Sequence, residues 1–244
     1  MIKGLVSIII PAYNEAAIVA NTVSAVEERM SSLNRPFELL IVDDGSTDAT
    51  PKVLEELVKG QQHPNLHFIS YKDGPSRREN LAKSFKLLRG EHVLLLDMDL
   101  SLDIKHLEEM LYWLEHGFGM VIVNRYHKAS RIKRNLKRYI ISKVYNAFIG
   151  LLFLTGFKDN ICGFKAFKHD VIMRLVDEAG IDETGTRSVF WDTQLVILAL
   201  KGKVQIKEIP VHWEEGEKSS LNFRREAKML PYILKFWWRL RKGR

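Results

Sequence analysis

Apolar residues fall in short, nearly continuous runs separated by segments of helical period, and this rhythm dominates the first hundred residues. LVSIIIPAYNE reads as a buried strand ending at Pro11, followed by a helix from about Ala16 to Leu33. FELLIVDDGS is a second strand, closed by carboxylates and Gly45. A helix near Thr50 to Lys59, a strand LHFISY, a helix near Arg78 to Leu88 and a strand HVLLLDMD follow. Strands that are apolar almost throughout and alternate with amphipathic helices predict an α/β fold: a Rossmann-like, mainly parallel sheet with helices on both faces. No internal repeat, low-complexity tract or linker interrupts the chain, so we expect one domain over residues 1–222 and a basic, aromatic tail over 223–244.

Three of those strands run into polar clusters at their carboxyl ends: Tyr13, Asn14 and Glu15; Asp43 and Asp44; Asp97 and Asp99. In an open parallel sheet, ligands bind beyond the carboxyl ends of the strands, where the strand order reverses. A single acidic pair after a strand is usually a turn or a helix cap, and Ser46 and Thr47 favour that reading for the second cluster. Three clusters in phase predict one shared site. In LLLDMDLS, residues i and i+2 of an extended segment face the same way, so Asp97 and Asp99 would address one hard cation while Met98 turns into the sheet. Carboxylate oxygens suit Mg²⁺ or Mn²⁺, shared with the phosphates of a substrate.

IIIPAYNE, LLIVDDGSTDAT and VLLLDMD, in this order and spacing, resemble family 2 glycosyltransferases of the GT-A fold. DNICGFKAF and VFWDTQLVILALKGKVQIKEIPVHWEE extend the resemblance to the dolichyl-phosphate mannose and glucose synthases, from about Val6 to Asn222. The resemblance implies transfer of a hexose from a UDP- or GDP-linked sugar to a polyprenyl (dolichyl-type) phosphate. It implies that Pro11, Tyr13 and Glu15 border the base and ribose, that Asp43 contacts the nucleoside with Asp44 beside it, that Asp97 meets the nucleotide side of the donor, and that Asp99 is the principal metal ligand. Arg125, in VNRY, matches an arginine that reaches donor phosphate or sugar, with a structural ion pair as the plainer reading. Arg77 stands where relatives keep a lysine between two glycines, and those glycines are Ser76 and Arg78 here. Relatives carry glutamine where this chain has Ser101, and FDxEL where it has Trp191 to Leu195, so Asp192 is kept and is expected to pair with a basic residue.

Charge sharpens the picture. The chain carries +7 overall, yet Lys128 to Lys143 holds seven Lys or Arg with no acid, and Phe223 to Arg244 holds eight with only Glu226. Nucleic acid would explain those runs but not three acidic strand ends, since carboxylates repel phosphates unless a metal intervenes. The first run lies where the family places its acceptor phosphate, which makes Arg131, Lys133 and Arg134 candidates. The tail, with Trp237 and Trp238 among cations, is suited to an anionic membrane surface. Tyr139 to Phe157 is apolar but broken by Lys143 and Asn146, too short for the roughly 20 residues of a span, and is expected to lie on a membrane or in a core. With no secretory signal at Met1 to Pro11, the expectation is a cytoplasmic protein, peripheral on the inner membrane face.

A lipid phosphate is already nucleophilic, so a phosphate acceptor needs no strong base. A sugar hydroxyl, the alternative acceptor, would need one, and Asp159 or Asp192 is available in the sequence. Asp159 has a second open role in shaping the loop around Gly163. The single cysteine, Cys162, excludes an intramolecular disulfide and reads as a packed small residue.

Overall fold

The computed structural model describes residues 1–133, 135–214 and 228–242. Its centre is a seven-stranded sheet in the order β3-β2-β1-β4-β7-β5-β8. The strands are β1 (Ile2–Ala12), β2 (Phe37–Asp43), β3 (Leu66–Ser70), β4 (Gly90–Leu95), β5 (Met120–Asn124), β7 (Lys165–Lys168) and β8 (Ile206–Pro210). Two short strands, β6 (Arg131–Lys133) and β9 (His212–Glu214), pair in parallel outside it. The helices are α1 (Val19–Ser32), α2 (Thr50–Lys59), α3 (Glu79–Ser84), α4 (His106–Glu115), α5 (Leu136–Phe153), α6 (His169–Ala179), α7 (Phe190–Lys201) and α8 (Leu230–Lys242). The helix expected over Arg78 to Leu88 is a short α-helix continued by a 3₁₀ turn over Phe85–Leu87.

Apolar residues on successive positions of β1 bury to opposite sides. Ile8 and Ile10 join α1, Leu54 of α2 and α4 in one core cluster. Ile9 joins Leu40 and Val42 of β2 with α3, α6, α7 and α8 in the other. This two-sided burial is why the strands read as unbroken apolar runs.

The sheet departs from purely parallel at one place. β7 runs antiparallel between β4 and β5, with Leu95 opposite Lys165 and Ile122 opposite the same lysine. Reversal sets the start of β7, and the loop Asp159 to Phe164 before it, at the end of the sheet where β4 finishes. At that end Ala12 pairs with Asp43 and Ile9 with Leu95. The three strand-end clusters therefore emerge together, beside the switch point between β1 and β4.

α5 places part of the segment Tyr139 to Phe157 in the core and leaves other apolar side chains exposed. Ser142, Asn146 and Ile149 are buried, while Leu136, Ile140, Val144 and Leu151 are exposed. Asn135 starts the helix, its side chain accepting from the Lys137 N–H at 3.0 Å. The helix α8 packs beside it: Ile233 and Phe236 are buried, the Phe236 ring lies 5.7 Å from Phe153, and Trp237 Nε1 donates to the Leu152 carbonyl at 2.9 Å. No helix among the described residues is long and apolar enough to cross a membrane. The boundary expected at 222/223 lies outside the described residues.

Candidate active site

A cleft of about 1410 Å³ opens at the carboxyl end of the sheet. Pro11, Tyr13, Glu15, Asp44, Arg77, Asp97 and Asp99 all line it, as do Arg78, Ser101 and Trp213. The loops that build it are knitted by short polar contacts. Asn14, in the left-handed region at φ 57°, accepts from the Thr47 N–H at 2.8 Å and donates its own N–H to Ser46 Oγ at 2.8 Å. Asp44 accepts from Ser76 Oγ at 2.7 Å, the Arg77 N–H at 2.8 Å and Asn80 Nδ2 at 2.8 Å. Gly45 and Gly74 cross in backbone contact: a Cβ on Gly74 would fall 1.8 Å from the Asp44 carbonyl oxygen. The loop before α3 is thereby fixed against the end of β2.

The two central carboxylates differ in setting. Asp97 and Asp99 lie past the end of β4 in a turn, not in an extended segment, with the Leu100 N–H donating to the Asp97 carbonyl at 3.2 Å. They still face one cleft, and Met98 between them is buried, its carbonyl accepting from Thr22 Oγ1 at 2.7 Å. Asp99 is exposed and accepts from the Ser101 N–H at 3.1 Å. Asp97 is half-enclosed. Burial lifts its carboxyl above the usual range; Asp192 and Asp99 add to the lift, and Arg78 and Lys165 oppose it. Gly163 leaves room for that carboxylate, since a Cβ there would sit 2.7 Å from both Asp97 oxygens. The pair suits a hard divalent cation: two like charges share a cavity, and among the described residues no third His, Cys, Asp or Glu completes a metal cluster. Such a cation would take its remaining ligands from water and substrate phosphate.

Other expected residues stand elsewhere. Asp43 is buried and directed to the Ser46 N–H, at 3.1 Å, instead of the cleft. Arg125 does not reach the cleft either. Its guanidinium is held by Asp159 through Nε at 2.7 Å and Nη2 at 2.9 Å, the Arg125 N–H adds a third bond at 3.0 Å, and both residues are buried. Burial alone would raise the Asp159 carboxyl, but the Arg125 charge and its hydrogen bonds hold it below the usual range. The geometry of Arg125 is that of the plainer reading, a structural ion pair. The guanidinium lies 4.9 Å over the Trp213 ring, so the pair acts on the cleft by seating an indole that lines it. Cys162 is buried and its thiol is pushed up to about 12 by burial, as suits an inert packed residue. Arg131 and Lys133 are exposed on β6, next to the β9 strand that carries Trp213. Arg134 lies outside the described residues.

Two residues at the site, Arg78 and Lys165, were not singled out in the sequence. Asp192 is fully buried and meets Arg78 Nε at 2.9 Å and Lys165 Nζ at 3.2 Å, and Arg78 Nη2 also reaches Asp97 Oδ1 at 3.6 Å. A basic partner for Asp192 was expected, but which one was not. The signal for Lys165 was a lone lysine inside the apolar GFKAF run, a buried cation that must find a carboxylate. Arg187 is also fully buried, bonded to Glu79 and to the Ala179 carbonyl, and ties the segment before α7 to the start of α3.

A cleft at the carboxyl end of a mainly parallel sheet, lined by two strand-end carboxylates, is the setting of an enzyme that handles a phosphorylated substrate through a divalent cation. Residues 7–176 match the family described as "Glycosyl transferase family 2", and the chain belongs to that family. It is 30% identical over 239 residues to "Glycosyltransferase AglD" of Haloferax volcanii, covering 96% of this chain and 37% of that longer protein. It is 26% identical over 250 residues to a "Dolichyl-phosphate beta-glucosyltransferase" of Dictyostelium discoideum, covering 97% of this chain and 75% of the relative. In structure it is similar to glucosyl-3-phosphoglycerate synthase from Mycobacterium tuberculosis, solved with Mn²⁺, UDP and glucosyl-3-phosphoglycerate: TM-score 0.62, 16% identity, 94% of this chain and 78% of the other. That likeness is one of fold, and the fold is the expected GT-A arrangement.

Proposed function

We propose that this protein transfers a hexose from a UDP- or GDP-linked sugar to a polyprenyl phosphate of the dolichyl type, at a membrane surface and with a divalent cation. The observation that carries the reading is the state of the two candidate bases. Asp159 is held by Arg125, and Asp192 by Arg78 and Lys165. Neither is placed to deprotonate a hydroxyl, whereas an acceptor phosphate arrives already anionic. The named activity of the Dictyostelium relative supports the same acceptor class.

Pro11, Tyr13 and Glu15 would border base and ribose, and Arg77 would face the diphosphate. Asp97 and Asp99 would hold Mg²⁺ or Mn²⁺, whose positive charge would stabilise the departing nucleoside diphosphate. The Mn²⁺ and UDP bound to the structural neighbour support that assignment. Arg131 and Lys133, with Arg134 in the same run, would draw the acceptor phosphate toward the cleft, and Trp213 would wall the sugar pocket. The exposed apolar side chains of α5, and Leu230, Leu234 and Trp238 of α8, lie among Lys137, Lys143, Lys235 and Arg239. Insertion of the first set and attraction of the second to anionic lipid would keep the cleft beside the acceptor on the cytoplasmic face.

The test is Asp99→Asn. Asp99 is exposed and its loss leaves the core intact, so the variant should fold normally yet lose most transfer, on the order of 100-fold or more by removal of charge stabilisation. Chelation with EDTA should abolish wild-type transfer, and Mn²⁺ or Mg²⁺ should restore it. A folded Asp99→Asn variant working at the wild-type rate would overturn the reading.

A further inference from the structure

Arg78 occupies a backbone position at φ 108°, in the region that favours glycine and burdens a bulky residue. The family resemblance implies a glycine at this position, and the chain places a long cationic side chain there. The guanidinium does not drift in solvent. Asp192 grips it at 2.9 Å, Lys165 fixes Asp192 at 3.2 Å from the other side, and Arg78 reaches Asp97 Oδ1 at 3.6 Å while lining the cleft. A permanent cation is thus clamped beside one of the two carboxylates proposed as metal ligands.

We infer that Arg78 makes divalent-cation binding conditional on the nucleotide diphosphate. The inference rests on the proposed function, because it assigns the metal to Asp97 and Asp99. A metal bound about 2 Å from an Asp97 oxygen would stand within roughly 6 Å of the guanidinium. The two cations repel across a partly enclosed cavity, where charges are less screened than in water. Arginine cannot relieve the clash by losing its proton. Nor can the side chain retreat without giving up its ion pair with the buried Asp192 and leaving that carboxylate to Lys165. A diphosphate entering the cleft brings the negative charge that both cations need, so metal and nucleotide each raise the affinity for the other. Arg78 is in this sense a positioning and gating residue, and the coupling it creates is reciprocal.

The experiment measures binding, not turnover. Purified full chain is titrated with Mn²⁺, free ion being read by electron paramagnetic resonance, alone and with saturating UDP or, in parallel, GDP. In the wild type the nucleotide should tighten Mn²⁺ binding by about 100-fold, near the top of the usual range of coupling between sites. Arg78→Gly, which suits the backbone, should bind Mn²⁺ alone about 10-fold more tightly than wild type and shrink the coupling by the same factor. Arg78→Gln serves as the second uncharged variant should the glycine form fail to fold, and Arg78→Lys, which keeps the charge, should retain most of the coupling. A merely structural role predicts the opposite sign, weaker metal binding on loss of the arginine. Unchanged or weaker Mn²⁺ binding in folded uncharged variants, with wild-type binding of Mn²⁺ plus nucleotide intact, would overturn the gating role alone. Absence of Mn²⁺ binding to wild type even with nucleotide would overturn both it and the metal assignment of the proposed function.

Discussion

Gly163→Ala is a perturbation of a single methyl group aimed at Asp97. The added Cβ would lie 2.7 Å from both carboxylate oxygens, where ordinary contact begins near 3.4 Å, so the carboxylate must shift by about 0.7 Å. It has room to do so, because its side chain is 29% exposed and opens onto the cleft. The fold should therefore lose no more than about 1 kcal/mol, a melting shift of roughly 2–4 °C for a chain of this size. The chemistry has less tolerance, since ligand groups must be held to about 0.5 Å. Displacing a metal ligand through its neighbour typically costs 10–100-fold in affinity or activity, which corresponds to about 1.4–2.7 kcal/mol. The assay pairs urea unfolding with kcat/KM for sugar transfer and with Mn²⁺ titration in the presence of nucleotide. Gly150→Ala is the control: nothing lies within 4 Å of its new Cβ in α5, so it should leave activity unchanged and stabilise the helix by up to about 1 kcal/mol. Wild-type kcat/KM and metal affinity in Gly163→Ala would refute the placement of the metal at Asp97.

Two other expectations concern the buried pair and the lipid face. Asp159→Asn leaves the Arg125 charge buried without its counter-ion and should destabilise the fold by about 3–5 kcal/mol in urea unfolding, against under 1 kcal/mol if the pair were incidental. The folded Asp159 carboxyl titrates below its ordinary value of 3.8, so its contribution is complete above that pH and is lost as pH falls through the lower folded value; the difference from wild type should stay flat between pH 7 and 5. Leu151 and Leu154 are 80% and 81% exposed, so changing both to Ser should leave thermal stability unaltered. The same change should weaken co-sedimentation with anionic vesicles at least about tenfold if these side chains insert, and equal binding would count against the lipid face.

The parts of the fold visible in the sequence are those set by local pattern. β1, β2 and β4 are apolar on successive positions because helices cover both faces, and their polar ends converge because their registers align. β7 was not visible: it has four residues, Lys165 to Lys168, flanked by charges, and its antiparallel place in the sheet is decided by neighbours far along the chain. The same holds at the site. Asp97 and Asp99 announce themselves by adjacency to a strand end, while the ion pair between Arg78 and Asp192 joins residues 114 positions apart. Before folding, each looks like an ordinary surface charge. Arg125 carried two readings because an arginine after a strand is equally suited to a phosphate and to a buried carboxylate, and only the position of Asp159 chooses between them.

The central claim is the acceptor, and it is tested by following radiolabelled hexose into two compartments. Purified protein with Mn²⁺ and labelled UDP- and GDP-hexoses is offered anionic vesicles containing polyprenyl phosphate, the same vesicles containing the unphosphorylated polyprenol, and soluble glycans with free hydroxyls. The account predicts label in the lipid phase only where the phosphate is present, released as free sugar by mild acid, with one nucleoside diphosphate formed per sugar transferred. Label on polyprenol or on the glycans, with none on polyprenyl phosphate, would contradict it.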